Sequence, residues 1–356
     1  MWPANQAALG APPSHIRIAP VGSDAEPFSA LTFPRYRPIL LGTEQPEFMH
    51  ERIAVGAWLN DKPVGLAFYG KPWACEQSED AADAPTADGG DGKPAQDQRQ
   101  LLSVMVVGAA RRQGLGARLL AYGEALARTS GTIRLTAMHS SRLLAQPAFA
   151  ALLKSCGWAA PKAFEFRLAS RASWALKART DWASFMARLD ARGYSATDWR
   201  GLNDTDRSEI KRLVEHVIPE SDREFDPFGP KNMIEAVPEL SLLLRKHGQI
   251  VGWILGSRGA LPATFHYSCG YVLPEVQRLG WLVAGVRDVC QRQAELHGGH
   301  TLSVFETSHA NAGMRRFMER HLEPSSEWTD ARYLSEKLLP GGPESCAGCA
   351  SPANGM

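Results

Sequence analysis

The chain has 356 residues, the length expected for two domains of ordinary size, each able to bury its own core. Its 44% hydrophobic and 22% charged residues match the averages of globular proteins, so the composition excludes a fibrous chain and one disordered throughout. The 39 basic and 38 acidic residues nearly cancel, which argues against a nucleic-acid partner bound through overall charge.

The sequence indicates neither a membrane-spanning segment nor a framework of disulfides. No apolar run reaches the roughly 20 residues of a membrane-spanning helix, and Met1-Trp2-Pro3-Ala4 lacks the features of a signal peptide. We therefore expect a cytoplasmic monomer or homodimer with no membrane partner.

The six cysteines are scattered along the chain, a usage that fits reduced thiols better than disulfides. Only Cys346 and Cys349 have metal-like spacing, but zinc needs two further ligands and this pair lies in a Gly/Pro/Ser-rich tail, so we predict no metal site.

The first half of the chain carries a series of short strands followed by a helix. β-rich runs at 52–59 and 64–69 flank Asn60-Asp61-Lys62-Pro63, which predicts a hairpin, and a further strand is predicted at 101–107. A glycine-containing turn and an amphipathic helix follow, then a strand at 133–137 and another helical pattern. The apolar stripe of the amphipathic helix is formed by Leu115, Leu119, Tyr122 and Leu126.

The second half repeats this order of elements. Strands are predicted at 240–245 and 250–255 around His247-Gly248, then at 265–273, again before a glycine-containing turn. The helix after that turn precedes a strand at 302–305. Its apolar stripe is formed by Leu282, Val286 and Val289.

The repetition predicts a duplicated α/β fold, in which each copy is a mixed sheet with flanking helices. We place the first domain at 15–170, a connection at 171–193 and the second domain at 194–338. Residues 1–14 and 339–356 have no hydrophobic periodicity, and we predict a disordered N-terminus and a flexible tail.

The two copies differ by one insertion. Val64 and Val251 are 187 residues apart, whereas Arg111 and Gln277 are 166 apart, so the first copy carries 21 additional residues. The segment 76–97 is acidic, rich in Ala, Gly and Asp, and without a hydrophobic pattern. It is expected to be a solvated loop, with an acidic lid that attracts a cationic substrate as the alternative.

The first strand-to-helix turn has the chemistry of an anion site. It reads Val104-Met105-Val106-Val107-Gly108-Ala109-Ala110-Arg111-Arg112-Gln113-Gly114-Leu115-Gly116-Ala117. A turn of this kind presents unpaired amides at the positive end of the helix dipole. Gly114 and Gly116 allow a ligand to approach the backbone, and Arg111 and Arg112 supply charge suited to phosphate. The spacing fits neither a P-loop nor the dinucleotide fingerprint.

The pattern Arg-x-x-Gly-x-Gly between a strand and an amphipathic helix, followed by another strand and helix, resembles the GNAT superfamily of N-acetyltransferases. The second half resembles the same family at Val272-Leu273-Pro274-Glu275-Val276-Gln277-Arg278-Leu279-Gly280. Asn311, followed by Met314, resembles the start of the family's later helix, and Cys156-Gly157-Trp158 resembles its end in the first copy. Together these matches cover 15–170 and 194–335, in a tandem arrangement similar to that of mycothiol synthase.

This resemblance implies acyl transfer from acetyl-CoA, or another short-chain acyl-CoA, to a primary amine of a small molecule. Leu282 stands where the family has a small residue, so the first copy is expected to bind coenzyme A better, with the second copy still open as the catalytic one. A strand amide, that of Val106 or Val104, would stabilise the oxyanion. The residues that the resemblance assigns to coenzyme binding are Val104, Val106, Arg111, Arg112, Gln113, Gly114, Leu115, Gly116, Ala117, Val272, Gln277, Gly280 and Asn311.

The sequence identifies the residues that would transfer protons less clearly than it identifies the coenzyme loop. The family's leaving-group acid is usually a tyrosine, but Leu153 and Met318 stand at the matching positions. Glu306, at a predicted strand end, is a candidate general base or else a solvated carboxylate, and His139, at a comparable strand end, is a candidate base or else a surface or capping residue. Tyr271 is a candidate proton donor to the thiolate or else a packed strand aromatic.

Two alternatives to a metabolite acyltransferase stay open. The absent tyrosines and Leu282 are consistent with a non-catalytic acyl-CoA sensor or scaffold. A peptidyltransferase of the Fem type is also a tandem of GNAT-like domains, but the balanced charge and the coenzyme-type loop argue against an aminoacyl-tRNA substrate.

Overall fold

The computed structural model describes residues 16–22, 24–43, 52–70, 98–176, 180–229, 232, 236–259 and 261–340. Contacts divide the chain into two compact units, of which the first joins the residues up to Lys162 with those from Tyr333 onward and the second is Ala163–Arg332. This division differs from the predicted boundaries in two places: the connection predicted at 171–193 lies within the second unit, and residues from 333 lie in the first. The predicted acidic insertion at 76–97 and the Cys346/Cys349 pair lie outside the described residues.

The first unit is a mixed sheet with helices. Its strands are β1 (Ile16–Pro20), β2 (Ile53–Leu59), β3 (Lys62–Gly70), β4 (Gln98–Val106) and β5 (Arg134–Ser140), and residues 333–338 of the last strand, β12 (Ser326–Leu338), lie beside β5. β1 to β4 are antiparallel neighbours, and β4 and β5 are parallel. Its helices are α1 (Arg37–Leu41), α2 (Leu115–Thr129) and α3 (Gln146–Ser155).

The second unit repeats this plan. In spatial order its sheet contains residues 326–332 of β12, then β6 (Lys162–Arg171), β11 (Leu302–Ser308), β10 (Thr264–Val272), β9 (Gln249–Arg258), β8 (Leu242–Lys246) and β7 (Tyr194–Asp198). β10 and β11 are parallel, as β4 and β5 are in the first unit. Its helices are α4 (Thr180–Asp190), α5 (Asp204–His216), α6 (Trp281–His297) and α7 (Ala312–Phe317). The predicted fold, two copies of a mixed sheet with flanking helices, is confirmed.

Both predicted hairpins form tight two-residue turns. Asn60 and Asp61 have φ angles of 49° and 62°, and His247 and Gly248 have 48° and 84°. Turns with two positive φ values match the right-handed twist of the paired strands, and Asn, Asp and Gly adopt them at low cost. The local sequence therefore sets the register of β2 with β3 and of β8 with β9.

The helix α2 packs on the first sheet through Leu115, Leu119 and Leu126 of the predicted stripe, but not through Tyr122. Leu115, Leu119 and Gly123 are buried, whereas Tyr122 is 38% exposed. The prediction for Tyr122 is wrong because Gly123, having no side chain, lets the helix approach the ring of Tyr69, whose hydroxyl donates to the carbonyl of Leu120 at 3.4 Å.

The end of β12 is held in the first unit by a buried polar network. Lys337 Nζ donates to Glu124 Oε2 and to the carbonyl of Cys156, each at 2.6 Å, and Trp158 Nε1 donates to Glu124 Oε1 at 2.9 Å. Leu339, predicted to begin the flexible tail, is 5% exposed and belongs to the core of this unit.

No helix in the described part of the chain is long and apolar enough to cross a membrane. Within the same residues, no cluster of three or more His, Cys, Asp or Glu side chains could hold a metal ion.

Candidate active site

The loop predicted to be an anion site lies at the N-terminus of α2. β4 ends at Val106, a short turn follows, and Arg112 and Gly114 adopt φ angles of 62° and 70° before the helix begins. Gly114 caps the helix without a side-chain hydrogen bond, so the first amides of α2 are not covered by a capping side chain. Because these amides lie at the positive end of the helix dipole, the loop 111–116 is suited to bind a phosphate group.

Some side chains of this loop are hydrogen-bonded to the nearby backbone, and others face solvent. Arg111 Nε donates to the carbonyl of Val106 at 2.9 Å, which fixes the turn, and Gln113 Nε2 donates to the carbonyl of Ala109 at 3.4 Å. Arg112 is exposed. Leu115, predicted among the coenzyme-binding residues, is 2% exposed, so only its backbone can face a ligand.

β4 and β5 separate beside this loop. Their parallel pairing runs from Gln98 opposite Arg134 to Leu101 opposite Ala137, and each strand then continues without the other. The amide of Val107 donates to the carbonyl of Val64 on β3 at 2.9 Å. Because successive residues of a strand present their amides to opposite edges, those of Val106 and Val104 point toward the gap between β4 and β5.

The second unit contains the same arrangement. β10 and β11 pair from Thr264 opposite Leu302 to Tyr267 opposite Phe305 and then separate. Gln277 Nε2 donates to the carbonyl of Val272 at 3.3 Å, as Arg111 does to Val106, and both acceptors lie five residues before their donors. Gly280 caps α6 with a φ of 83°, as Gly114 caps α2.

The two loops differ in what lies over them. A Cβ added at Gly114 would meet no atom of the described residues within 4 Å, whereas one added at Gly280 would lie 2.8 Å from the ring of Phe185. Phe185 belongs to α4 and packs against the core of the second unit. Among the residues that the structure describes, the glycine of the first loop is therefore open, and that of the second is covered by an aromatic ring.

The carboxylate of Glu306 forms an ion pair with an arginine of the neighbouring strand. Its Oε2 lies 3.2 Å from Arg167 Nε on β6, directly across the strand pair, and the same nitrogen lies 3.2 Å from Glu165 Oε1. Arg332 also binds Glu165, at 3.1 Å. Burial, followed by the charge of Glu306, raises the pKa of Glu165, while the two arginines oppose that shift. This balanced cluster has the composition of an internal ion-pair network.

Tyr271 is packed among aromatic rings of the second unit. It is 4% exposed, its ring stacks on Phe225 with centroids 6.0 Å apart, and Trp253 lies 5.7 Å away. Burial and then the nearby carboxylate of Asp222 raise the pKa of Tyr271 to about 12. These contacts match the packed strand aromatic that was the alternative for this residue.

His139 lies in the first unit, on the part of β5 beyond its pairing with β4. It is 6% exposed, and burial lowers its pKa. Its ring is stacked on Tyr333, with centroids 5.4 Å apart and an interplanar angle of 21°, and meets the edge of Phe149 at 5.2 Å. Gln146 Nε2 lies 3.4 Å from Nε2 of the imidazole.

Leu153 and Met318, which stand at the positions of the family's tyrosine, are 0% and 1% exposed. Both are core residues and present no polar group. Asn311 caps α7, since its Oδ1 accepts from the amide of Met314 at 3.0 Å. The coenzyme roles predicted for Asn311, Gln277, Gly280 and Val272 in the second unit stay predictions.

Phe185 and Tyr333 were missed by the sequence analysis. Phe185 lies in the segment assigned to a connection, and Tyr333 lies near the end of the second predicted domain. Neither position carries a local motif, because their importance comes from residues far away in the sequence.

Comparison with known proteins identifies the first half of the chain. Residues 23–158 match the model of the acetyltransferase (GNAT) family. No curated protein sequence matches the chain significantly. The predicted resemblance to this family is therefore confirmed for residues 23–158.

Solved structures extend the comparison to the fold of the whole chain. A tandem GNAT protein from the clavulanic acid biosynthesis pathway is 13% identical, with a TM-score of 0.51, over 92% of this chain and 100% of that one. A GCN5-related N-acetyltransferase from Sphaerobacter thermophilus is 17% identical, with a TM-score of 0.52, over 92% and 96%. The tandem GNAT fold is thus confirmed, while the more specific similarity to mycothiol synthase stays a prediction.

Proposed function

We propose that this chain, whose residues 23–158 belong to the GNAT acetyltransferase family, transfers an acyl group from coenzyme A to a primary amine of a small metabolite in its first unit. The observation that carries the proposal is the open loop 111–116 at the end of a separating strand pair, set against the covered loop of the second unit. Acetyl-CoA is the proposed donor because it is the acyl-CoA that the family generally uses.

The residues of the first loop fit the coenzyme's diphosphate. The amides that begin α2 would bind its oxygens, Gly114 leaves room for close approach, and the exposed guanidinium of Arg112 would add positive charge. The gap between β4 and β5 would receive the thioester arm. There the amide of Val104 or Val106 would donate to the oxyanion that forms when the thioester carbonyl is attacked.

The acceptor ammonium must lose a proton to become a nucleophilic amine, whose nitrogen then attacks the thioester carbon. The nitrogen is positively charged after the attack and gives up a second proton. The oxyanion intermediate collapses by breaking the C–S bond, and the thiolate leaves and takes up a proton. His139 is the proposed proton acceptor, because its lowered pKa keeps the imidazole neutral at pH 7 and it lies on β5 beyond the last residue paired with β4.

The matched arginines of the two loops test which unit binds the coenzyme. Arg112 and Arg278 occupy equivalent exposed positions, each following the side chain that bonds back to its strand. Arg112→Glu is expected to weaken acetyl-CoA binding about tenfold in calorimetry, because it reverses a charge beside the diphosphate. Arg278→Glu should leave the affinity unchanged. If Arg278→Glu weakens binding and Arg112→Glu does not, the coenzyme belongs to the second unit.

Turnover is tested separately with thiol release over a panel of small amines. The second candidate function is a non-catalytic acyl-CoA sensor, which is favoured by the burial of Leu153 and Met318 where the family has an acid. The proposed enzyme releases thiol only when an amine is present and yields an acylated product by mass spectrometry. Tight acetyl-CoA binding with no product from any amine would support the sensor.

A further inference from the structure

β12, the last strand that the structure describes, supplies side chains to the first unit. Residues 333–338 of β12 lie beside β5, Lys337 is bound to Glu124, and Leu339 belongs to the first core. Tyr333 is the first residue of the chain's final segment in this unit. Its ring stacks on His139, the residue proposed above as the proton acceptor.

His139 is enclosed on several sides but keeps one nitrogen uncommitted. Tyr333 covers one face of the imidazole, Phe149 meets it edge-on, and Gln146 lies near Nε2. Nδ1 is buried and has no hydrogen-bond partner among the residues that the structure describes. A buried polar atom without a partner is costly, and Nδ1 is the nitrogen of this imidazole left to bind a ligand or a water.

We propose that Tyr333 is a positioning residue of the acyl-transfer site, and that its ring fixes the orientation of the His139 imidazole beside the gap between β4 and β5. The inference rests on the proposed function. The C-terminal strand thereby completes the site of the first unit, and it does so on β5, whereas the family's tyrosine would lie on α3, where Leu153 is buried.

Three charged residues of β5, β12 and α3 are paired with other residues or face solvent. Arg134 on β5 lies 3.9 Å from Glu336 on β12, Lys337 on β12 is bound to Glu124, and Lys154 on α3 is exposed. Burial is the cause that lowers the pKa of His139. The ring of Tyr333 contributes to that burial, so its removal would admit water to the imidazole and restore a more ordinary pKa.

Three single variants of the full chain test this inference. Tyr333→Phe keeps the stacked ring, Tyr333→Leu removes it, and Tyr122→Leu removes an exposed tyrosine of the same unit as a control. The readouts are the titration midpoint of the His139 imidazole by NMR and the pH profile of kcat/KM. The His139 resonance is assigned by its loss in His139→Gln, and circular dichroism checks that each variant is folded.

Tyr333→Leu is expected to raise the His139 midpoint toward the ordinary value of about 6.5 and to lower kcat by about tenfold, with the KM for acetyl-CoA nearly unchanged. The acid limb of the pH profile should move upward with the midpoint. The kcat values of Tyr333→Phe and Tyr122→Leu should both remain within about twofold of the wild type. Phenylalanine keeps the ring that stacks on His139, and the side chain of Tyr122 is exposed.

Two results would overturn the inference. A Tyr333→Leu variant with the wild-type midpoint or the wild-type kcat shows that the ring does not position His139 for transfer. A Tyr333→Phe variant as impaired as Tyr333→Leu shows that the hydroxyl matters and the stack does not. If the wild type itself releases no thiol with any amine, the proposed function fails, while the NMR midpoints still decide whether Tyr333 sets the environment of His139.

Discussion

Single side chains distinguish the candidate residues of the two similar units. Of the three candidates for proton transfer, Glu306 is engaged by Arg167 and Tyr271 is packed between Phe225 and Trp253, both in the second unit. His139 lies in the first unit, on the part of β5 beyond its pairing with β4. The residue types alone could not separate these cases, because an ion pair and an aromatic stack depend on neighbours that are distant in the sequence.

Replacing His139 by Gln is expected to lower kcat by roughly 10²- to 10⁴-fold while the affinity for acetyl-CoA stays the same, since a positioned base contributes about that much. Glutamine keeps much of the buried shape but cannot accept the proton. Thiol release and calorimetry on the same preparation measure the two quantities. Equal losses of kcat and coenzyme affinity would point instead to a damaged fold.

The lowered pKa of His139 also predicts how the stability of the protein depends on pH. In the folded protein the imidazole protonates only below its ordinary value of about 6.5, whereas in the unfolded chain it protonates near that value. The unfolded state therefore binds more protons as the pH falls below 6.5, so stability decreases in that range. Urea titrations of wild type and His139→Gln between pH 7 and pH 5 should converge as the pH falls, if this residue carries the effect.

At the scale of elements, α4 distinguishes the second unit from the first. Phe185→Ala removes a ring that packs on the core and covers Gly280. We expect it to destabilise the protein by about 1–3 kcal/mol, because the side chain is only partly buried. The wild type should bind one acetyl-CoA per chain, and the affinity of that site should be unaffected by Phe185→Ala. A stoichiometry of two for the wild type contradicts the covering of the second loop.

The end of β12 is held by a salt bridge whose carboxylate is nearly buried. The side chains of Lys337 and Glu124 are 20% and 9% exposed, and Trp158 shares the same carboxylate. Lys337→Met leaves Glu124 buried without its cation, which is expected to cost about 3 kcal/mol of unfolding free energy. Lys154→Met, on the exposed face of α3, is the matched control and should change stability by less than about 0.5 kcal/mol. Similar losses of unfolding free energy for both variants would show that the salt bridge of Lys337 stabilises the protein no more than an exposed lysine does.

The sequence predicts elements where the determining interactions are local. Turn residues with positive φ set both hairpins, and the strand, glycine and helix pattern places the loop 111–116 correctly. The roles of β6 and β12 could not be seen in this way, because their contacts join residues far apart: Arg332 binds Glu165 across 167 positions, and Arg171 binds Glu327 across 156. The same distance hides the contact of Tyr333 with His139.

At the scale of the molecule, the first unit is assembled from both ends of the chain. Its described residues run up to Lys162 and resume at Tyr333, so we expect its folding to depend on β12. A chain that ends at Pro340 keeps Lys337 and Leu339, which contact this unit. A chain that ends at Arg332 lacks these contacts and Tyr333 as well.

We therefore expect the chain that ends at Pro340 to keep the melting temperature and acetyl-CoA affinity of the full protein. The chain that ends at Arg332 should lose the strand beside β5, expose the buried Glu124 and Trp158, and bind acetyl-CoA weakly or not at all, because α2 and its loop rest on that sheet. Calorimetry and hydrogen exchange of α2 compare the two. Full coenzyme affinity in the shorter chain would mean that the first unit folds without the C-terminal strand, and that Tyr333 is dispensable for forming its site.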